Sequence, residues 1–128
     1  MIDHTGLIVS NLAKSKDWYR MALAPIGFGL LMEFPAEVTG TVAVAGFGIA
    51  PMADFWLSQG TPNRPGTHIA FRADSRSQVD AFYAAALQAG GLDNGAPGLR
   101  PHYHQDYYAA FVIDLDGHNI EVVCRQPQ

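Results

Sequence analysis

Asp114-Leu115-Asp116-Gly117-His118-Asn119-Ile120-Glu121 closes the chain with a tight turn and a strand that carries a carboxylate. Asp116-Gly117 supplies the turn chemistry, because Gly tolerates positive φ and Asp hydrogen-bonds its own backbone. In the strand that follows, Ile120 and Val122 share one side and Glu121 and Val123 the other, so Glu121 lies on an otherwise apolar face. A carboxylate there needs a partner. Two more strand-like segments each offer a histidine, Asp3-His4-Thr5-Gly6-Leu7-Ile8-Val9 and Thr67-His68-Ile69-Ala70-Phe71. Two imidazoles and one carboxylate suit a facial metal site, and His4, His68 and Glu121 are the candidate ligands.

Outward from these strands the chain reads as one pattern used twice. Residues 2–9 predict a strand, and Ser10-Asn11 caps a helix over Leu12 to Ala24 that Pro25 and Gly27 stop. Three strands follow, Phe28 to Phe34, Thr41 to Phe47 and Met52 to Leu57, divided by Pro35, Gly40, Gly48 and Pro51. Gln59 to Gly66 is polar, broken by two prolines, and reads as a linker. The pattern then restarts with a strand at Thr67 to Phe71 and a helix from Asp74 or Ser75 to about Ala89. A weak strand near Leu92 leads into a loop from Gly95, and Tyr107 to Ile113 and Asn119 to Cys124 form the last hairpin. An offset of 64 residues carries His4 to His68, Trp18 to Phe82, Tyr19 to Tyr83, Ala22 to Ala86 and Gly27 to Gly91. Several matches at one offset point to duplication.

Composition bounds the rest. At 128 residues the chain is long enough for one domain, residues 1–128, made of module one (1–58), the linker (59–66) and module two (67–125). Hydrophobic residues make up 48% and charged residues 16%, which predicts a soluble globular chain, and no apolar run approaches the ~20 residues of a membrane span. The opening residues carry no secretory pattern and Cys124 stands alone, so a cytoplasmic location is expected. A net charge of −4 with eight scattered Lys and Arg leaves no footprint for nucleic acid. The expected partner is a small molecule.

With His4, Val9 and the Leu12 to Tyr19 helix, His68-Ile69-Ala70-Phe71 after a linker, and the Phe111 to Glu121 hairpin in place, the chain resembles the vicinal oxygen chelate superfamily. That superfamily includes glyoxalase I, extradiol dioxygenases, fosfomycin-resistance enzymes and bleomycin-binding proteins. The hairpin resembles the family's closing "DPDG…E" motif, with Leu115 where Pro is usual. The resemblance implies an α+β fold of two βαβββ modules forming a curved mixed sheet around a central cleft. It implies a divalent metal ion (Fe, Mn, Ni or Zn) on His4, His68 and Glu121, and lyase chemistry of the lactoylglutathione type or extradiol-type dioxygenase chemistry. The alternative it carries is a non-catalytic drug-binding protein of the bleomycin-resistance type. A second carboxylate expected on the last strand of module one is missing: the offset gives Leu57, a one-residue slide gives Trp56, and Asp54 lies one pleat away.

The remaining site residues follow from strand pairing and loop position. If Asp116-Gly117 is a two-residue loop, Val112 opposes Glu121, and Tyr108, Ala110 and Val112 share its face. Tyr108 is therefore expected beside Glu121 as a catalytic donor and substrate contact. Loops on rigid sheets often carry ligand contacts, so Arg100 and Tyr103 in the Gly95 to Asp106 lid are expected at the mouth. Trp56 is expected as a cleft wall for a planar or apolar substrate. Modules this small do not cover both faces of their sheets alone, so a homodimer is expected, as most members of the superfamily form.

Overall fold

The computed structural model describes residues 1–128. Module one runs β1 (Thr5–Val9), α1 (Leu12–Leu23), β2 (Gly29–Phe34), the single turn α2 (Ala36–Thr39), β3 (Val44–Ile49) and β4 (Met52–Gln59). Module two repeats it with β5 (His68–Arg72), α3 (Arg76–Gln88), β6 (Leu92–Leu99), β7 (Tyr108–Ile113) and β8 (Asn119–Cys124). Each module forms a four-stranded sheet, ordered β1-β4-β3-β2 and β5-β8-β7-β6, with the first strand parallel to the last and the others antiparallel. These are the two expected βαβββ units, and within one chain no hydrogen-bonded ladder joins the two sheets. No helix is long and apolar enough to cross a membrane.

Local chemistry explains the helix starts. Asn11 caps α1 by accepting from the Lys14 amide at 3.1 Å, and Ser75 caps α3 by accepting from the Gln78 amide at 3.3 Å, each satisfying a donor that the first turn leaves open. The inner face of α1 presents Ser15, Trp18, Tyr19, Ala22 and Leu23, and that of α3 presents Val79, Phe82 and Ala86. Both helices pack on the same side of their sheets and on each other, so one apolar core serves both modules. The Trp18 indole N–H donates to the Ala86 carbonyl at 3.1 Å across that contact. Phe71 stands edge-on to both Phe55 and Phe28, with ring centroids 5.1 and 5.4 Å apart.

The closing hairpin fastens one module to the other. Its loop spans Asp114 to His118, with Gly117 at φ +91°, and the Asp114 side chain folds it by accepting from the Asp116 and His118 amides, both at 2.9 Å. The buried Asp114 also accepts from the Tyr19 hydroxyl of α1. Burial first, and Asp114 second, hold the Tyr19 phenol well above its ordinary pKa. Asp116 accepts from the Ser10 amide and hydroxyl at 3.1 and 2.5 Å. His118 is fully buried: its Nδ1 accepts from the Thr67 amide at 2.9 Å, so its Nε2–H donates to the Ile8 carbonyl at 2.8 Å. One loop thus touches β1, α1 and the start of β5.

Several expectations change: β3 runs Val44–Ile49 rather than Thr41 to Phe47, and β4 extends through Gln59, the first residue of the expected linker. β6 is a full strand to Leu99, so the Gly95 to Leu99 part of the expected lid is sheet and the loop proper lies between Leu99 and Tyr108. β1 begins at Thr5, which leaves His4 ahead of the strand. The hairpin loop holds five residues rather than two, and this moves the register of β7 on β8 by one. Replacing Tyr19 with Phe removes a hydrogen bond to a buried carboxylate and is expected to cost about 1–3 kcal/mol in urea unfolding. An unchanged midpoint would show that the hairpin is held by other contacts.

Candidate metal centre

The register of the last hairpin decides which side chains surround Glu121. Phe111 opposes Glu121, Ala109 opposes Val123 and Tyr108 opposes Cys124, so Tyr107, Ala109, Phe111, Glu121 and Val123 share the sheet face turned away from the helices. A one-residue slip exchanges the two faces of a strand completely. Tyr108 therefore lies on the helix side, where its hydroxyl donates to Asp80 at 2.6 Å and the Arg76 guanidinium covers its ring. The expected neighbour of Glu121 is replaced by Tyr107, whose hydroxyl donates to Glu121 Oε2. The Tyr107-Tyr108 pair signalled that one tyrosine would face each way; only the loop length chose between them.

Across the parallel β5–β8 pairing, Ala70 opposes Glu121 and His68 opposes Asn119, which puts His68 on the same face. His68 Nε2 lies 3.1 Å from Glu121 Oε1, and the Glu121 side chain is only 4% exposed. His68 Nδ1 lies 3.0 Å from the Asn119 carbonyl oxygen. A carbonyl only accepts, so Nδ1 carries the proton in that bond, and a neutral ring then turns its Nε2 lone pair toward Oε1. Two lone pairs facing each other are satisfied by a shared proton or by a cation. A metal-binding histidine commonly has one ring nitrogen fixed by a backbone carbonyl, as Nδ1 is here. These two donors fit part of a divalent-ion site, the remaining ligands of which the chain does not supply by itself.

Around this pair the face is aromatic and cationic. Burial, followed by the hydrogen bond and charge of Glu121, pushes the Tyr107 phenol up to about 12, so it remains a donor at neutral pH. The Arg125 guanidinium lies 5.0 Å from the Tyr107 ring centre, and the ring of the exposed Tyr103 lies 5.1 Å from it. Phe111 lies between the His68 ring, 6.3 Å away and nearly parallel, and the Arg100 guanidinium at 5.3 Å. Arg100 donates to the Gly98 and Ala96 carbonyls at 2.7 and 2.9 Å, which ties it to its own strand beside the site. Phe111, Asn119 and Arg125, like Tyr107, were not among the candidates; their sequence neighbourhood is ordinary strand, and only the face assignment reveals them.

His4 does not join the pair within one chain. Its side chain is 62% exposed and its Nδ1 lies 2.8 Å from Asp3. No cluster of three or more His, Cys, Asp or Glu side chains able to hold an ion forms within the chain. Its neighbours Ile2 and Thr5 nevertheless line, with Asp54, His68 and Arg72, a cavity of about 450 Å³ where the two modules meet.

The module-one counterpart of the site carries tryptophan. Gly6 opposes Trp56 on β4 just as Ala70 opposes Glu121 on β8, and Gly6 and Ala70 are related by the 64-residue offset. Trp56 stands where Glu121 stands in module two. Its indole stacks on Phe34 with centroids 6.2 Å apart and lies across Gly46, where a Cβ would meet ring carbons at 2.8 Å. Trp56 is thus outside the helix-side core, on the open face of its sheet with Ile8, Met32 and Phe34, all of them at least 39% exposed.

A family model described as the Glyoxalase/Bleomycin resistance protein/Dioxygenase superfamily matches residues 1–122. The chain belongs to this superfamily. Among relatives, the metallothiol transferase FosB of Shouchella clausii (strain KSM-K16) is 29% identical over 123 residues, covering 94% of this chain and 77% of FosB. A glyoxalase/bleomycin resistance protein from Albidiferax ferrireducens T118 superposes with a TM-score of 0.78 at 27% identity over 99% of both chains. A mutant of the fosfomycin resistance protein FosX from Listeria monocytogenes, complexed with Mn(II) and 1S,2S-dihydroxypropylphosphonic acid, shares the fold with a TM-score of 0.68 at 19% identity. It covers 96% of this chain and 90% of FosX.

The close approach of Trp56 to Gly46 sets one prediction. Gly46→Ala is expected to lift the indole from the sheet, change the emission of Trp56 and cost about 1–3 kcal/mol, as overpacking does. The same substitution in a Trp56→Phe background is expected to leave the remaining Trp18 emission unchanged. No change in either background would mean that the ring does not rest on Gly46.

Proposed function

We propose that this superfamily member is a divalent-metal-dependent enzyme that acts on a small molecule with two adjacent oxygens. His4, His68 and Glu121 would hold the ion, and His4 would come from a second copy of the chain. The observation that carries the reading is the convergence of His68 Nε2 and Glu121 Oε1 at 3.1 Å with their other polar atoms already engaged by Asn119 and Tyr107. When bound, the ion supplies Lewis-acid chemistry that polarises the substrate oxygens, the activation that lyase and ring-cleaving dioxygenase reactions share. The Asn119 carbonyl fixes the His68 tautomer, and Tyr107 keeps Glu121 oriented. Arg100 spends two of its five N–H donors on backbone carbonyls and keeps the rest for an acidic substrate group. Tyr103 borders the mouth, and Trp56 forms the opposite wall.

Three features support a second copy. The outer edges of β1 and β5 are unpaired, and unpaired edges invite a partner strand. The open face of the first sheet is apolar around Trp56. His4 is exposed and free to face another chain, while its sequence neighbours Ile2 and Thr5 line the cavity that His68 also lines. Two-fold pairing would set the module-one face of one copy over the module-two face of the other, an isologous arrangement that builds two equal clefts.

The stacked Trp56 and Phe34 favour a second reading, a binding protein that grips a planar ligand without metal. Ligand binding that persists in excess chelator would support it over the enzyme.

Mixing His4→Ala protein with Glu121→Ala protein tests the shared site. Each variant alone is expected to lose Mn(II) binding in equilibrium dialysis. After subunit exchange the mixture is expected to recover about a quarter of the parental sites, because half of the dimers are mixed and each carries one intact set. No recovery, or undiminished binding by His4→Ala alone, would overturn the proposal that His4 is shared. Saturating ion is also expected to stabilise the parent by about 2.7 kcal/mol at a hundredfold excess over Kd, and the Glu121→Ala variant by much less.

A further inference from the structure

We infer that Tyr107 is a positioning residue that makes Glu121 a one-oxygen ligand; the inference rests on the metal reading of the His68–Glu121 pair. A carboxylate on a divalent ion has two oxygens to offer and can present either one or both. Here the two are already distinguished. Oε1 faces His68 Nε2 at 3.1 Å, whereas Oε2 accepts from the Tyr107 hydroxyl.

The chain is arranged to keep that bond. Tyr107 lies just before β7, two pleats from Phe111, which itself opposes Glu121. Its phenol must reach along the strand to meet Oε2, and Ala109, fully buried between them, leaves the space. Tyr107, Ala109 and Val123 form their own small apolar cluster with Phe111 beside it, separate from the main core. Arg125 and Tyr103, 5.0 and 5.1 Å from the Tyr107 ring centre, flank it and oppose rotation away. Tyr107 is 8% exposed. A carboxylate held at one oxygen by a phenol would offer a bound ion its other oxygen alone, which would leave room for a substrate that attaches through two adjacent oxygens.

The sequence-adjacent Tyr108 serves as an internal control, since its hydroxyl is spent on Asp80 on the helix side. The test is infrared difference spectroscopy of the full-length protein with and without Mn(II), combined with Mn(II) affinity by calorimetry. A one-oxygen carboxylate shows a wide separation between its antisymmetric and symmetric stretches, and a two-oxygen carboxylate a narrow one. The parent is expected to show a wide Glu121 separation, assigned by its loss in Glu121→Gln. Tyr107→Phe keeps the ring and its packing, and is expected to narrow the separation and change Mn(II) affinity by about 10–100-fold, the range typical of groups that orient a ligand. Tyr108→Phe is expected to leave both readings as in the parent. A parent that binds Mn(II) while Tyr107→Phe shows the same separation and affinity overturns this inference alone. A parent that binds no ion overturns the metal reading and this inference together.

Discussion

Everything at the candidate centre depends on how the Asp114 side chain folds the last hairpin. By accepting from the Asp116 and His118 amides it closes a five-residue loop, and that length sets β7 against β8 so that Phe111, not Val112, meets Glu121. The same carboxylate accepts from Tyr19 of α1, while His118 from the same loop bonds to Ile8 and Thr67. One buried polar cluster therefore fixes the register of the site strand and docks it onto the other module. Buried networks of this kind are costly when half satisfied, and here every polar group named has its partner.

Much of this architecture is legible in the residues. The alternation in Asn119 to Cys124, the caps at Asn11 and Ser75, and the 64-residue offset give the modules, because each is a local rule that tertiary packing here reinforces. The pairing of His68 with Glu121 is legible because polar groups on apolar strand faces need partners. The misses have physical causes. Asp116-Gly117 looks like a two-residue turn, and nothing local reveals that Asp114 will spend its side chain on a longer one. β6 contains Gly95, Pro97 and Gly98, which normally break a strand, yet it survives at a sheet edge with two register irregularities against β7. His4 lies before the first ladder pair, and at the end of a strand no pattern says where pairing begins.

The two modules have diverged in chemistry while keeping one backbone plan. At equivalent positions one face carries Trp56 between Gly6 and Gly46 and the other carries Glu121 between Ala70 and Phe111. An apolar, aromatic half and a polar, metal-suited half are what a cleft needs if one side grips a substrate and the other activates it. Within a single chain the helices meet and the two open faces do not share a ladder. Membership of the superfamily and the likeness to the FosB and Albidiferax ferrireducens proteins agree with the shared backbone plan over nearly the whole chain.

The most direct test of the central claim is metal content measured with molar mass on one sample of untagged protein purified without chelator. The account predicts about one divalent ion per chain in a dimer, with the ion released as dilution separates the subunits, because a site shared between chains exists only in the pair. A monomer that keeps its full complement of ion, or a dimer that takes up none of Mn(II), Fe(II), Ni(II) or Zn(II), would contradict it.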